Sequence, residues 1–268
     1  MTKVAMTPDE VNSRNAPSSP GFPTMGSVSY PTVLKGLHQS RAPKWYLEIG
    51  TANGASLALA QTKCIAIDPR FSIRSNVLGK KPQLHLLQMT SDQFFSEEIA
   101  AQLKAKIDLA FLDGMHLFEF LLRDFIGSEK ISNRSGMIVL HDCCPTSFVM
   151  AQRDRVSGKG SAWTGDVWKL VPILRKYRPD LILQTLDCAP TGLVLISNLD
   201  PKNRVLENGY QQILSEFTDT ELDHASLALL VESLKMETAA DYSQYETIVR
   251  TKSLLNRALR QFYKFWWQ

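Results

Sequence analysis

The sequence has no run approaching the roughly 18 consecutive apolar residues of a spanning helix, so no membrane span is expected. It has only four cysteines, Cys64, Cys143, Cys144 and Cys188, spaced for neither a zinc motif nor a disulfide framework. Cys64 lies in an apolar run and reads as buried filler, and reduced thiols in a cytosolic compartment are the simplest expectation. A strong charge of either sign is also missing: 30 Lys and Arg against 27 Asp and Glu leave a net +3. That argues against a dedicated nucleic-acid or anionic-membrane binder, which would carry a basic stripe. The first residues, Met1-Thr2-Lys3-Val4-Ala5-Met6, lead into a polar stretch with no apolar h-region, so no secretory signal is expected and a cytoplasmic location is. There is no internal repeat.

What is present fits a soluble globular chain of 268 residues, 44% hydrophobic and 21% charged. That length holds one large α/β domain with appendages or two small domains. Residues 1–29 are rich in Pro, Ser and Gly and read as a mobile arm, with a lid over a ligand as the functional alternative. Residues 30–198 alternate short apolar runs with amphipathic segments. A helix is expected over 30–40, strands at 45–49, 64–67, 84–87, 107–112 and 137–140, and helices at 56–61, at 94–104 and from 118. Alternation of this kind implies a parallel sheet covered on both faces. The runs at 181–186 and 193–197 read as an antiparallel hairpin closing the edge. The predicted fold is therefore a doubly wound, mostly parallel, seven-stranded Rossmann-like α/β sheet with a terminal hairpin. Residues 199–268 read as a helical C-terminal extension, with one helix through Val205–217, one at 227–234 and a last one at 248–262. The aromatic end, Tyr263-Lys264-Phe265-Trp266-Trp267, is expected to pack on the body, to make a homodimer contact or to anchor at a membrane surface.

Six stretches carry chemistry. The first strand ends in Glu48 and turns through Gly50, Thr51, Asn53 and Gly54 toward a helix beginning near Ser56. Glycines permit tight turning and close approach to a ligand, and a helix N-terminus offers free N–H groups. Positions 52 and 55 are alanine, which departs from the dinucleotide fingerprint and disfavours a pyrophosphate site; a purely structural turn remains open. Asp68 ends the second strand and is placed to accept both hydroxyls of a ribose, or to cap before Pro69. Met89-Thr90-Ser91-Asp92 follows the third strand, where Ser91 and Asp92 can line an adenine pocket or start a helix with Ser91 as N-cap. Asp113 and His116 follow the fourth strand, and His141 and Asp142 end the fifth, so two acids and two imidazoles converge on one sheet edge. Asp166, Trp168 and Lys169 can shape an acceptor pocket or form a helix start with a buried Trp.

Tyr46-Leu47-Glu48-Ile49-Gly50 with Gly54-Ala55-Ser56-Leu57 resembles motif I of class I S-adenosylmethionine-dependent methyltransferases, and Ala66-Ile67-Asp68-Pro69 resembles their second motif. The stretches 111–119 and 139–145 resemble the bacterial type 24 methyltransferases, related to catechol-type and macrolide-sugar O-methyltransferases. The resemblance spans about residues 30–198. It implies S-adenosylmethionine as cofactor, held by Glu48, Gly50, Thr51, Asn53, Gly54, Ser56, Asp68, Ser91, Asp92 and Asp113. It implies methyl transfer, with O-methylation of a small hydroxylated metabolite, sugar or glycan precursor preferred and no nucleic-acid partner expected. N-methylation, a non-catalytic cofactor-binding or scaffolding module, and an NAD or nucleotide-sugar enzyme are the alternatives. His116 is the first candidate base, being mostly neutral at pH 7 at an ordinary pKa of about 6.5; His141 is the second, with Asp113 supporting. The catechol type also implies a divalent metal such as Mg on Asp113 and Asp142. Its strand-five Asn is Cys143 here, however, and a thiol is a poor ligand for a hard ion; His141 would suit a softer one.

Overall fold

The computed structural model describes residues 18–155 and 163–240. Its centre is an eight-stranded sheet in the order β3-β2-β1-β4-β5-β7-β6-β8. Strands β1 (Trp45–Ile49), β2 (Lys63–Ile67), β3 (Leu84–Leu87), β4 (Ile107–Leu112) and β5 (Ser132–His141) run parallel. Strand β7 (Leu193–Ser197) inserts antiparallel between β5 and β6 (Ile182–Leu186), which is the expected terminal hairpin. The expectation of seven strands is exceeded by β8 (Met236–Glu237), two residues paired parallel to β6 and too short to carry a periodic signal.

Side-chain alternation explains why these segments are strands. Leu47 and Ile49 of β1, Ile65 and Ile67 of β2, Leu112 of β4 and Ile138 and Leu140 of β5 face one core. Tyr46, Cys64, Ala66, Leu109, Phe111, Met137 and Val139 face the other. Both faces being apolar is the signature of a sheet buried between two layers. Helices α2 (Ser91–Ser96), α3 (Ile99–Gln102), α4 (Phe118–Ile131) and α5 (Leu170–Tyr177) lie on the first core, through Phe94, Ala100, Phe118, Phe125 and Leu174. Helix α1 (Tyr30–Arg41) supplies Val33, Leu34 and Leu37 to the second. Arg178, 1% exposed at the end of α5, is clamped by Glu129 at 2.6 and 2.9 Å and by Asp180. This bidentate pairing ties α5 to α4.

Several local expectations are corrected. The helix expected over 56–61 is a single 3-10 turn, Leu57–Leu59, because Ala60 returns to extended backbone. The helix expected over 94–104 starts at Ser91 and breaks into α2 and α3 at Glu98, whose φ is 51°. Its N-cap is Thr90, whose hydroxyl accepts from the Gln93 N–H, so Ser91 is the first helical residue and not the cap. The helix expected through Val205–217 is two, α6 (Val205–Asn208) and α7 (Tyr210–Phe217), separated by Gly209. Helix α8 (His224–Leu234) follows, opened by an Asp223–Ser226 capping box. Residues 248–268, where the last helix and the aromatic end were expected, lie outside the described residues. Within the segment read as an arm, the Ser19 N–H donates to the Thr146 carbonyl, Phe22 packs edge-on against Phe148 and the Gly26 N–H donates to the Asp187 carbonyl. Among the described residues no helix is long and apolar enough to cross a membrane.

Candidate active site

A cavity of about 570 Å³ opens at the carboxyl ends of β1, β2, β4 and β5, lined by Gly50, Ala52, Asp68, Ser91, Asp113 and His116, among others. Strand order reverses between β1 and β4, and such a switch point is where doubly wound sheets leave a crevice for ligands. Its volume suits a small molecule of cofactor size.

The glycine turn divides its residues between the cavity and the layer beneath it. Gly50 has φ 85°, and a Cβ there would meet the Asp113 carbonyl oxygen at 2.0 Å, so the turn can only close with glycine. Ala52 holds φ 44° in the place where a glycine is absent. Its N–H donates to Asp68 Oδ2 at 2.7 Å, while the Arg70 N–H donates to Oδ1. Asp68 thus braces the turn and still borders the cavity. Glu48, Thr51, Asn53, Gly54 and Ser56 are not among the residues lining the cavity. Glu48 is fully buried, accepting from the Tyr46 hydroxyl at 2.6 Å and from Ser56 at 3.1 Å. Burial pushes its carboxyl up to about 7 against the pull of Tyr46, Thr51 and Ser56. The Asn53 side chain accepts from the Ala55 N–H, and Gly54 backs onto Val77. These residues shape the turn from below, because the tight reversal at Gly50 directs alternate side chains away from the opening.

The strand-end groups do meet. His141 Nδ1 lies 3.1 Å from Asp113 Oδ1 and 3.4 Å from Asp142 Oδ1. His116 Nε2 lies 3.3 Å from Asp142 Oδ2 and 3.7 Å from Asp113 Oδ1, and its Nδ1 is 2.7 Å from the Trp163 carbonyl. Asp142 adopts φ 61°, a strained conformation for a side-chain-bearing residue and of the kind that collects at functional sites. Thr191, from the β6–β7 loop, donates to Asp142, and the Tyr30 ring lies 4.2 Å from that of His141. Burial works to lower the pKa of His116, but Asp113 and Asp142 outweigh it and raise it to about 9. His141 is likewise lowered by burial and lifted further by Asp142 and Asp113, well above the ordinary value. Burial raises Asp142, but both imidazoles overcome this and hold it well below the carboxylate range. The expectation of a mostly neutral His116 at pH 7 is therefore corrected: two carboxylates within ion-pair distance keep it protonated in the ligand-free chain.

Asp113, His141 and Asp142 offer one donor atom each, all within 4.8 Å of one another. Cys143 does not join them; its buried thiol points to the His141 and Val167 carbonyls at 3.5 and 3.7 Å, and burial holds its pKa well above the usual thiol value. One imidazole and two carboxylates fit a borderline divalent ion better than Mg, which favours oxygen alone. Asp166, Trp168 and Lys169 line a separate cavity of about 630 Å³ with Arg153 and Phe148. Asp166 accepts from the Phe118 N–H, Arg153 and Lys169, so it starts α4 and holds the loop above it.

Sequence reasoning did not single out Asp124, Met115, Phe120, Thr191 or Tyr30, all at or beside this site. Each is ordinary in type and lies on an element whose facing direction only the fold reveals.

Residues 47–143 match a family model described as a methyltransferase domain. The chain is similar in structure to the O-methyltransferase of Bacillus cereus in complex with S-adenosylhomocysteine, at 17% identity over 70% of this chain and 84% of that one, with a TM-score of 0.46. It is also similar to an S-adenosylhomocysteine-bound methyltransferase of Podospora anserina, at 15% identity, 63% and 78% coverage and a TM-score of 0.43. A third likeness is to an O-methyltransferase of Streptomyces achromogenes involved in tomaymycin synthesis, at 18% identity, 65% and 82% coverage and a TM-score of 0.43. No curated protein matches the sequence.

Proposed function

We propose that the chain, whose residues 47–143 match the model of a methyltransferase domain, is a class I, S-adenosylmethionine-dependent methyltransferase that methylates a hydroxyl oxygen of a small metabolite, sugar or glycan precursor. The observation that carries this reading is the meeting of Asp113, His116, His141 and Asp142 at the wall of the cavity that Gly50 and Asp68 begin. Asp68 would take the ribose hydroxyls, Gly50 and Ala52 the aminoacyl end, and Ser91 and Asp92 the adenine side. The sulfonium carbon would then lie toward the aspartate–histidine cluster.

In the transfer, the acceptor oxygen forms a bond to the methyl carbon as the carbon–sulfur bond breaks, leaving S-adenosylhomocysteine. The hydroxyl proton must go to a base. His116 is suited by position and takes that proton in its neutral form, which its raised pKa of about 9 confines to the alkaline side: with Nδ1 directed at the Trp163 carbonyl, Nε2 is the nitrogen that accepts from the cavity. Asp113 and Asp142 orient it, and the enzyme otherwise acts by placing the acceptor in line with the methyl group. Asp113, His141 and Asp142 would hold a divalent cation, which when bound lowers the pKa of an acceptor hydroxyl.

Calorimetry with S-adenosylhomocysteine tests the cofactor, and NAD run beside it tests the alternative. His116→Ala should cut methyl transfer at least about 100-fold and leave cofactor affinity within a factor of about three, less than 1 kcal/mol. Loss of cofactor binding in that variant would make the residue structural. Chelation followed by add-back of Mn, Zn or Mg should restore activity in favour of the borderline ions; activity indifferent to chelation would remove the metal from the reading.

A further inference from the structure

The net charge of +3 averages over an uneven distribution. Residues 247–268 hold Arg250, Lys252, Arg257, Arg260 and Lys264 and no acid, so the other positions carry 25 basic residues against 27 acidic ones. At helical spacing Ile248, Leu255, Leu259, Phe262 and Trp266 share one face, and Arg250, Arg257 and Lys264 share the opposite one. Basic residues opposite an apolar, aromatic face are the composition of segments that lie in an anionic membrane surface. These residues lie outside the described structure, but the place where the chain leaves it is described. Strand β8 carries the chain toward the carboxyl ends of the parallel strands, in one row with the active site: His141 pairs with Leu193, Leu193 with Leu186 and Leu186 with Glu237. At about 4.8 Å per strand, Glu237 stands roughly 14 Å along that row from His141. The Ala239 N–H then donates to Asp187 Oδ1 at 2.6 Å and holds the chain at this edge.

The described rim of the cavity has the same chemistry. The chain leaves β2 at Pro69, which lines the cavity, and runs along the glycine turn, where the Ser72 N–H donates to the Ala52 carbonyl and the Arg74 N–H to the Asn53 carbonyl. Arg70 and Arg74 are exposed there, and among the described residues neither enters an ion pair. Ile73 between them is 36% exposed, and Met115, which lines the cavity on the loop after β4, is 54% exposed. Guanidinium groups reach lipid phosphates while apolar neighbours enter the acyl boundary, so a headgroup layer accommodates both kinds of side chain. We propose that this end of the sheet, together with residues 247–268, rests on an anionic bilayer surface with the cavity mouth toward the lipid. A nucleic acid would engage the arginines but leave Leu255, Leu259 and Phe262 without an apolar partner. Resting on the methyl-transfer reading, the acceptor is then a sugar or glycan precursor borne on a lipid.

The test is sedimentation of the full chain, without cofactor, with vesicles of phosphatidylcholine alone or mixed with phosphatidylglycerol. The wild type should bind the anionic vesicles at least about tenfold more tightly than the neutral ones, and high salt should remove most of that preference. Arg257→Glu with Lys264→Glu should lower anionic binding at least about tenfold and leave S-adenosylhomocysteine affinity unchanged. Arg70→Glu with Arg74→Glu should lower vesicle binding at least about threefold. Hydrogen exchange on bound vesicles should slow the amides of residues 115–117 at the mouth and leave residues 133–136, at the other end of the sheet, unchanged. If the variants do not fold, the wild type's lipid preference and its exchange pattern still decide. No preference for anionic lipid, variants that bind like the wild type, slowing at 133–136 instead, or binding to single-stranded RNA but not to vesicles would each overturn the proposal. Failure with vesicles leaves the methyl-transfer reading intact, and failure to bind S-adenosylhomocysteine would overturn that reading separately.

Discussion

Asp68 illustrates how one side chain serves structure and ligand together. Its two oxygens already accept from Ala52 and Arg70 N–H groups, and each oxygen keeps lone-pair capacity toward the cavity. Asp68→Ala should therefore weaken S-adenosylhomocysteine by more than a ribose contact alone, at least about tenfold, because the left-handed Ala52 also loses its brace. Asp68→Asn should do less harm, since its amide oxygen can keep one of the two backbone bonds. Titration of both variants by calorimetry checks the order, and an alanine variant with undiminished affinity would sink the assignment. The acidic strand ends Asp68, Asp113 and Asp142 were legible because a residue's place at a parallel strand's carboxyl end can be read from the run before it. Asp124 was not. A lone Asp inside an amphipathic helix looks like any solvated position, and only the packing of α4 on Ser91 turns it inward.

At the scale of elements, the parallel strands were legible because both faces of the sheet are buried and the apolar runs are nearly continuous. The connections were less so. A glycine turn followed by small residues predicts a helix, yet the chain makes one 3-10 turn and leaves, with Leu57 and Ala60 both buried and Ala60 already extended. The polar start of β5, Ser132 to Gly136, carries no alternation and was missed. The loop before α5 matters for the same geometric reason as the glycine turn. Gly165 has φ 59°, and a Cβ there would stand 1.8 Å from the His116 carbonyl oxygen. Gly165→Ala must push the loop and His116 apart, at a cost of roughly 1–3 kcal/mol. Thermal melts should register that loss, and methyl transfer should fall far more than S-adenosylhomocysteine affinity, since the loop borders His116 and not Asp68. Equal losses of both would mean that the loop supports the whole cavity.

Over the whole molecule, the buried ionisable groups set how stability responds to pH. Glu48 is raised from 4.5 to about 7 and Asp124 from 3.8 to about 7, both chiefly by burial. A carboxyl with a higher pKa folded than unfolded binds more protons in the native state between the two values, so stability falls as pH rises through that window. His116, raised to about 9, contributes stability that is full below its ordinary 6.5 and lost as pH climbs toward 9. Asp142, held below its ordinary 3.8, contributes stability that is lost only as pH falls below that value. These four contributions together are largest near pH 4 to 5 and decline toward pH 9, while buried His38, lowered from 6.5 to about 4, runs the other way and adds stability as pH rises between those values. Glu48→Gln isolates one contribution. It keeps an oxygen for Tyr46 and Ser56, and it abolishes the titration, so it should flatten the decline between pH 4.5 and 7 by on the order of 2–3 kcal/mol. Urea unfolding at pH 5, 7 and 9 measures this directly. A variant whose stability runs parallel to the wild type across that window would show that Glu48 stays ionised beneath the turn, and that its hydrogen bonds from Tyr46 and Ser56 outweigh its burial.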